Sequence, residues 1–539
     1  MIRRILFSQS KTITGAALVL GAASFVSRII GLGRDRIFAH TFGAGQTLDV
    51  YYAAFRIPDL LYNIIIVGAL SAGFIPVFLT LWNKNKEEAQ ELFNQLITVA
   101  LVVLTGLSII LFICMPWLVR LIVPGFGEEA MVQTTALSRI MLLSPIILGV
   151  SGIVSGVLQA LKSFFIYSIT PIVYNIGIII GAIFFVPVWG ISGLGYGVIL
   201  GTLLHLAIQL PPLLRYGFVY RPSTKLNTES LKSIGRLMIP RTLTLGTSQL
   251  TFVIITVIAS TLGAGSIAIF NLANNLQYFP VGIIGISFAL AAFPTLSELV
   301  AQKNEERFRE ELSSTIRQII FLIVPLTILF LLLRAQIVRT LLGSGKFDWD
   351  ATIATANTLA FFSLSLFAQS LIPLLTRGFY ALHNTKTPLF VAFISTLITI
   401  ILSLSLKETF GIVGLAMAFS LGCIFQTAVL WVTLRNHIKT LHEGKMLHSL
   451  YKISIAGVVM ALAIQLSKGP IASVVNMQRF WGIFIQGLVT GIIGVVVYGL
   501  ICYLLRTEEM LHLLRTLNRR WLTLRGVVGE VNKGDELAG

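Results

Sequence analysis

Charge-free apolar runs of roughly 20 residues recur from one end of this 539-residue chain to the other, and they restrict its fold more than any other feature. Lipid offers no hydrogen bonds to the backbone, so a segment of that length crosses it as a helix. About fourteen such windows can be read, centred near Phe25, Ile65, Leu104, Ile147, Ile178, Leu203, Phe252, Ile286, Val324, Phe367, Ile398, Phe425, Val458 and Ile492. Composition agrees: the chain is 55% hydrophobic and 12% charged, with mean hydropathy +0.87, whereas soluble domains carry about 25% charged residues. The expected fold class is an all-α polytopic membrane protein.

The net charge of +17 would point to nucleic acid in a soluble protein. Here the excess follows the positive-inside bias of loops, and no nucleic-acid partner is expected. With both termini in the cytoplasm, about 27 of the 40 Lys and Arg fall in inner loops and tails, about 7 in outer loops and about 6 inside spans. The start, MIRRILFSQSK, lacks a small-x-small cleavage site and reads as a retained cytoplasmic tail. Cys114, Cys423 and Cys502 sit far apart in apolar segments, as free thiols with no metal motif.

The chain also repeats. Gly43-Ala44-Gly45 recurs as Gly263-Ala264-Gly265, 220 residues on, and Gly190-Ile191-x-Gly193-Leu194 recurs as Gly411-Ile412-x-Gly414-Leu415, 221 residues on. One shift shared by several sites implies two six-helix lobes in parallel orientation, with a site between them. The expected division is residues 1–220 and 221–440 for the lobes, 441–506 for two added helices, and 507–539 for a cytoplasmic amphipathic tail.

The stretch Ser24–Pro76 is apolar, yet it carries Arg28, Arg34, Arg36 and Arg56 with Asp35, Asp49 and Asp59. A charge at bilayer depth costs roughly 2.5–3.5 kcal/mol on insertion scales, so it faces a wet cavity or a partner. Four arginines in two helices point to a cationic chamber for something anionic. Arg28 and Arg34 lie about 120° apart on a straight helix. Gly31 and Gly33 are therefore candidate hinges that would turn both toward one cavity, and Pro58 is a third. In the alternative reading Arg34 and Arg36 reach the interface while Arg28 pairs with Asp35. Arg56 and Asp59 read first as an ion pair and second as ligand groups. Asp49 opens a helix, where a carboxylate caps or complements the dipole. Arg241 reads equally as a cavity cation or as an interfacial one. Gln249, Asn271, Asn274 and Asn275 are cavity polar groups or interhelical hydrogen-bonders.

Gly343-Ser344-Gly345-Lys346 lacks the spacing of a phosphate loop. No HExxH or GxSxG motif occurs, and the seven histidines are scattered, so a transporter is expected rather than an enzyme. From Ile239 to Ser297 there is no Asp or Glu, which argues against a carboxylate metal site in the second lobe.

The block SRIIGLGRDRIFAHTFGAGQTLDVYYAAFRIPDLL, followed by GALSAGFIPVF, strongly resembles the MurJ (MviN) lipid II flippase family of the MOP exporter superfamily. Val123-Pro124-Gly125-Phe126, Phe279-Pro280-x-Gly282-x-x-Gly285 and Arg377-Gly378-Phe379-Tyr380-Ala381 extend the resemblance over nearly the whole chain. It implies two six-helix bundles in a V plus two C-terminal helices. It implies transfer of an undecaprenyl-pyrophosphate-linked peptidoglycan precursor, lipid II, from inner to outer leaflet of the bacterial cytoplasmic membrane. Arg28 and Arg34 match its substrate-contacting arginines and Asp49 its acidic position. Two departures stand out: Tyr62 and Asn63 replace an arginine pair, and Asn275 replaces an arginine of the eighth helix.

The resulting expectation is a lipid II flippase working by alternating access. It would be a monomer in the bilayer, with no cofactor, with a membrane potential as an available drive, and with cell-wall synthases as further partners. Another polyprenyl-linked glycan as cargo, or a non-transporting lipid II-binding scaffold, are the alternatives.

Overall fold

Every regular element among the described residues of the computed structural model is helical, as a backbone that must satisfy itself in lipid requires. The structure describes residues 13–67, 74–223 and 229–515. The chain opens with α1 (Ile13–Phe42), α2 (Gln46–Tyr62), α3 (Ile75–Lys84), α4 (Lys86–Ile122), α5 (Glu128–Met141) and α6 (Leu143–Ala160). It continues through α7 (Phe164–Ile180), the single turn α8 (Val186–Trp189), α9 (Ser192–Ala207) and α10 (Leu210–Arg215). A second series holds α11 (Glu229–Ser260), α12 (Ser266–Pro280), α13 (Ser287–Ala301), α14 (Glu305–Leu332) and α15 (Arg334–Leu341). After it come α16 (Trp349–Leu364), α17 (Leu366–Ala381) and α18 (Lys386–Ile438), then α19 (Glu443–Val474) and α20 (Phe480–Leu504).

Each of the fourteen sequence centres falls in a helical segment. By length and composition, nine helices among the described residues are able to cross a membrane, and α16 with α17 adds a pair bent by 46°. Local signals set the helix ends. Asn85 caps α4 by accepting from the Glu87 N–H at 2.9 Å, and Asn304 caps α14 by accepting from the Arg307 N–H at 3.2 Å. Glu87, Glu88, Glu305 and Glu306 follow those caps, where the dipole favours carboxylates.

The sequence repeat recurs in the backbone. Gly190 (φ 58°, ψ −145°) and Gly411 (φ 54°, ψ −133°) share a conformation that only glycine adopts readily. Gly411 breaks the 53-residue α18 in two, which is why this helix holds two sequence centres. A Cβ on Gly193 would lie 2.4 Å from the Phe185 backbone, and one on Gly414 2.5 Å from that of Leu406, again 221 residues on. The π-helical turn Asn63–Val67 has its counterpart in Val281–Ile286.

The chain divides into two compact units. The first comprises Met1–Phe279, Leu341–Phe362 and Thr385–Gly422. The second comprises Pro280–Thr340, Ser363–Asn384 and Cys423–Gly539. This division leaves the repeat boundary at residue 220, because backbone contacts and one carboxylate tie α11 and α12 to α1 and α2 within the first unit.

The first unit is built on a core that includes Phe74, Phe78, Phe93, Leu104 and Phe218. In the second, Ile453, Met460 and Ile464 of α19 pack with Tyr498 and Cys502 of α20 against α14. There the Tyr498 hydroxyl donates to the Phe321 carbonyl at 2.8 Å. The outer faces of α19 and α20 stay apolar: Leu466 is 74% and Trp481 66% exposed, surface that suits lipid and not water. Cys114, Cys423 and Cys502 are free. Of the amphipathic tail, Met510 and Leu513 pack on the second unit's core, while Leu517, Trp521 and Leu524 lie outside the described residues.

Candidate functional site

The site is assembled on α1, α2, α7, α11 and α12, all within the first unit. α1 places Arg34 beside Asp35, and the guanidinium donates to the Asp35 carboxylate from Nε at 3.0 Å and from Nη2 at 2.8 Å. Its Nη1 donates to Asn175 Oδ1 of α7 at 3.1 Å. The other Asp35 oxygen accepts from Asn275 Nδ2 of α12 at 3.0 Å. The result is a polar chain, Asn175–Arg34–Asp35–Asn275, that crosses three helices. Asp35 is buried within it, with 4% side-chain exposure against 21% for Arg34. Three of the five guanidinium N–H groups of Arg34 are engaged, which leaves two to offer.

Arg28 has fewer partners. Its Nη1 donates to the Tyr278 carbonyl at a long 3.4 Å, and its guanidinium lies 5.6 Å from the Tyr278 ring centre. A cation–π contact at a partly exposed site is worth about 0.5–1 kcal/mol, so this arginine is held lightly. The alternative pairing of Arg28 with Asp35 is excluded because Arg34 takes that carboxylate. α1 runs unbroken through Gly31 and Gly33, and a Cβ on either would meet nothing within 4 Å. The helix is thus not unwound at these glycines. Pro58 lies inside α2, with the π-helical turn beginning five residues later at Asn63.

Arg56 corrects another expectation. It does not pair with Asp59. Nε donates to Thr256 Oγ1 of α11 at 2.8 Å, and Nη2 to Asn271 Oδ1 of α12 at 2.7 Å, with the guanidinium 5.8 Å from the Phe252 ring. Asp59 is solvent-accessible and forms no direct ion pair among the described residues, yet its carboxylate stays within electrostatic reach of Arg56, Tyr62 and Tyr174. The long guanidinium fork of Arg56 reaches two interhelical acceptors instead.

Asp49 caps not its own helix, as its position predicts, but another. Its two carboxylate oxygens accept from the Gly265 N–H at 2.5 Å and the Ala268 N–H at 2.7 Å, at the start of α12. The side chain is 1% exposed. Gly265 cannot supply the cap itself, since it sits at φ +90° and a Cβ there would lie 2.2 Å from the Ala44 carbonyl oxygen. The glycines of the repeat thus bring two backbones together, and a carboxylate from 216 residues earlier satisfies the N–H groups.

Two further glycines extend this seam symmetrically. A Cβ on Gly125 would stand 2.1 Å from the Ser260 carbonyl oxygen, and one on Gly345 2.3 Å from that of His40. Gly345 lies 220 positions after Gly125, and Ser260 220 positions after His40. The Lys346 N–H also donates to the His40 carbonyl at 3.0 Å. The Gly-Ser-Gly-Lys run is therefore a packing element.

The side chain of Arg241 lies outside the described residues. Gln249 is half-buried on α11. Sequence reading missed Asn175, Thr256 and Tyr278, which bear no charge and hide among apolar helices. A Ser151–His205 pair at 2.7 Å looks like a nucleophile with its base, but Gln209 closes on both side chains and Ser151 is fully buried, so no substrate reaches it. The arrangement offers unspent guanidinium donors in a partly desolvated place. That is a phosphate-binding chemistry.

A family profile described as "Lipid II flippase MurJ" matches residues 38–484. A probable lipid II flippase MurJ of Thermotoga maritima is 32% identical over 502 residues, 92% of this chain and 98% of that protein. The lipid II flippase MurJ of Burkholderia cenocepacia is 28% identical over 430 residues, 78% of this chain and 83% of its own. Among solved structures, a lipid II flippase MurJ in an inward closed conformation superposes with TM-score 0.75 at 24% identity, covering 90% of this chain and 98% of that one. An inward-facing MATE multidrug transporter of the MOP superfamily follows with TM-score 0.67 at 16% identity, covering 77% and 96%. These two establish likeness of fold.

Proposed function

The chain belongs to the lipid II flippase MurJ family, and from that premise we propose that it carries the precursor's pyrophosphate on Arg28 and Arg34. The protein is a multi-pass membrane protein and a lipid II flippase. The observation that carries the site reading is the contrast in donor use: Arg34 keeps two N–H groups unspent and Arg28 makes one long bond. Phosphate oxygens fit the guanidinium fork, and Asp35 with Asn175 holds Arg34 in place for them.

In this proposal the chain lies in the bacterial cytoplasmic membrane as a monomer with both termini inside. α1 then runs outward, and the glycine seam at its far end closes the outer side. The polyprenyl tail stays in lipid while the headgroup enters the chamber. Asp49 releases α12, the seam parts, and the headgroup leaves outside, which is alternating access. The two repeat lobes, 1–220 and 221–440, are the moving bodies. A membrane potential contributes about 2.3 kcal/mol per charge per 100 mV, acting on the chamber arginines. Cell-wall synthases consume the product on the outer face.

Lipid II exposure in spheroplasts depleted of their own flippase tests this, with an added lipid II-cleaving toxin as the reporter. Cleavage is expected with this chain and lost with Arg28→Ala at equal membrane expression. Undiminished cleavage by Arg28→Ala removes that arginine from the site. Binding of lipid II without any exposure favours the scaffold alternative.

A further inference from the structure

Tyr52 lies three residues after Asp49 and four before Arg56, so α2 carries all three on one face. Its two neighbours on that face are paired: Asp49 with the start of α12, Arg56 with Thr256 and Asn271. Tyr52 is not. The residue is 8% exposed, its hydroxyl oxygen is sealed from solvent, and it has no hydrogen-bond partner.

The ring itself is firmly held. It packs edge-on against Tyr51 at 5.4 Å, and Tyr51 in turn meets Phe38 at 4.9 Å and Phe55 at 5.0 Å. Arg34, Asp35 and Arg56 are all within electrostatic reach of the hydroxyl. A buried hydroxyl without a partner costs free energy, and phenylalanine would fill the same space without that cost. Packing therefore explains the ring and leaves the oxygen unexplained.

We propose that the Tyr52 hydroxyl is a further substrate-binding group, donating a hydrogen bond to a phosphate oxygen of the pyrophosphate as α2 and α12 part. It complements the arginines with a neutral donor in a fixed direction. In the closed seam the same oxygen lacks a partner, so it favours opening. The inference rests on the arginine reading above, and the test separates the two.

Purified protein in nanodiscs is titrated with lipid II and, as a control, with undecaprenol, which has no phosphate. Melting temperature is recorded for the wild type, Tyr52→Phe and Arg34→Ala. Tyr52→Phe is expected to bind lipid II about tenfold more weakly, to bind undecaprenol as the wild type does, and to melt at the same temperature or higher. Wild-type lipid II affinity in Tyr52→Phe beside a loss in Arg34→Ala overturns the tyrosine's role and leaves the arginine site standing. A lowered melting temperature in Tyr52→Phe shows that the hydroxyl is already bonded within the protein and overturns the proposal. Wild-type affinity in both variants removes the arginine site, and the tyrosine's role falls with it.

Discussion

Two regions of the first unit, the glycine seam and the arginine chain, are built on opposite principles. At the glycine seam backbone meets backbone, with no room for a methyl group at Gly125, Gly265 or Gly345. At the arginine chain side chains meet across helices through hydrogen bonds, some donors stay unspent, and Arg28 is barely held. The seam has one close-packed arrangement, so it is either shut or open. The arginine chain can exchange one acceptor for another, so it suits a ligand that arrives and leaves.

The seam should be the more sensitive of the two to added bulk. Gly265→Ala places a side chain at φ +90° and 2.2 Å from the Ala44 oxygen. Positive-φ strain and overpacking together predict a loss of about 2–4 kcal/mol in unfolding stability, with failure to close and more than tenfold lower lipid II exposure. Wild-type melting would show that the seam yields easily and would erase the contrast.

Asp49→Asn is next. It keeps the shape but replaces a charge that caps α12 through two N–H groups, and about 2 kcal/mol of stability should go with it. Arg28→Ala sharpens the comparison from the other side. Transport is lost while melting shifts by under about 1 kcal/mol, because one long hydrogen bond and one cation–π contact hold this residue. A large destabilisation by Arg28→Ala would make it structural.

The smallest effect belongs to a wet contact, outside both regions, in the second unit. Arg317 hydrogen-bonds Glu508 at 2.5 Å and thereby holds that carboxyl below its ordinary range. A depressed carboxyl contributes stability above its unfolded value of about 4.3, and this is lost as pH falls through the lower folded value. Glu508 is 73% exposed, so screening keeps the contribution well under about 1 kcal/mol. Melting between about pH 5 and about pH 2 should show a small decline that Glu508→Gln lacks.

The fold was legible because lipid forces helices and because the 220-residue shift is a global signal. Gly190 and Gly411 carry that shift into closely similar backbone geometry. The charged members of the site were legible too, since an arginine among apolar residues stands out. Their partners were not. Whether Arg28 or Arg34 holds Asp35 depends on what α7 and α12 present, and Asn175 is 141 residues away. The sequence reading tied Asp49 to its own helix because local capping is the common case, whereas here the N-cap of α12 is a glycine kept bare by the Ala44 oxygen. Tyr52 gave no sign, because an unsatisfied hydroxyl is visible only once every neighbour is in place.

The most direct test asks whether the seam must open for lipid II to cross. Cysteines are placed at His40 and Lys346 in a chain whose Cys114, Cys423 and Cys502 are replaced, and a short cleavable bis-thiol reagent joins them. Lipid II exposure in flippase-depleted spheroplasts is then read before and after the linker is cleaved. The account predicts no exposure while the seam is tied and recovery on cleavage. Exposure that continues with the pair quantitatively cross-linked contradicts it, for then lipid II crosses without the seam parting.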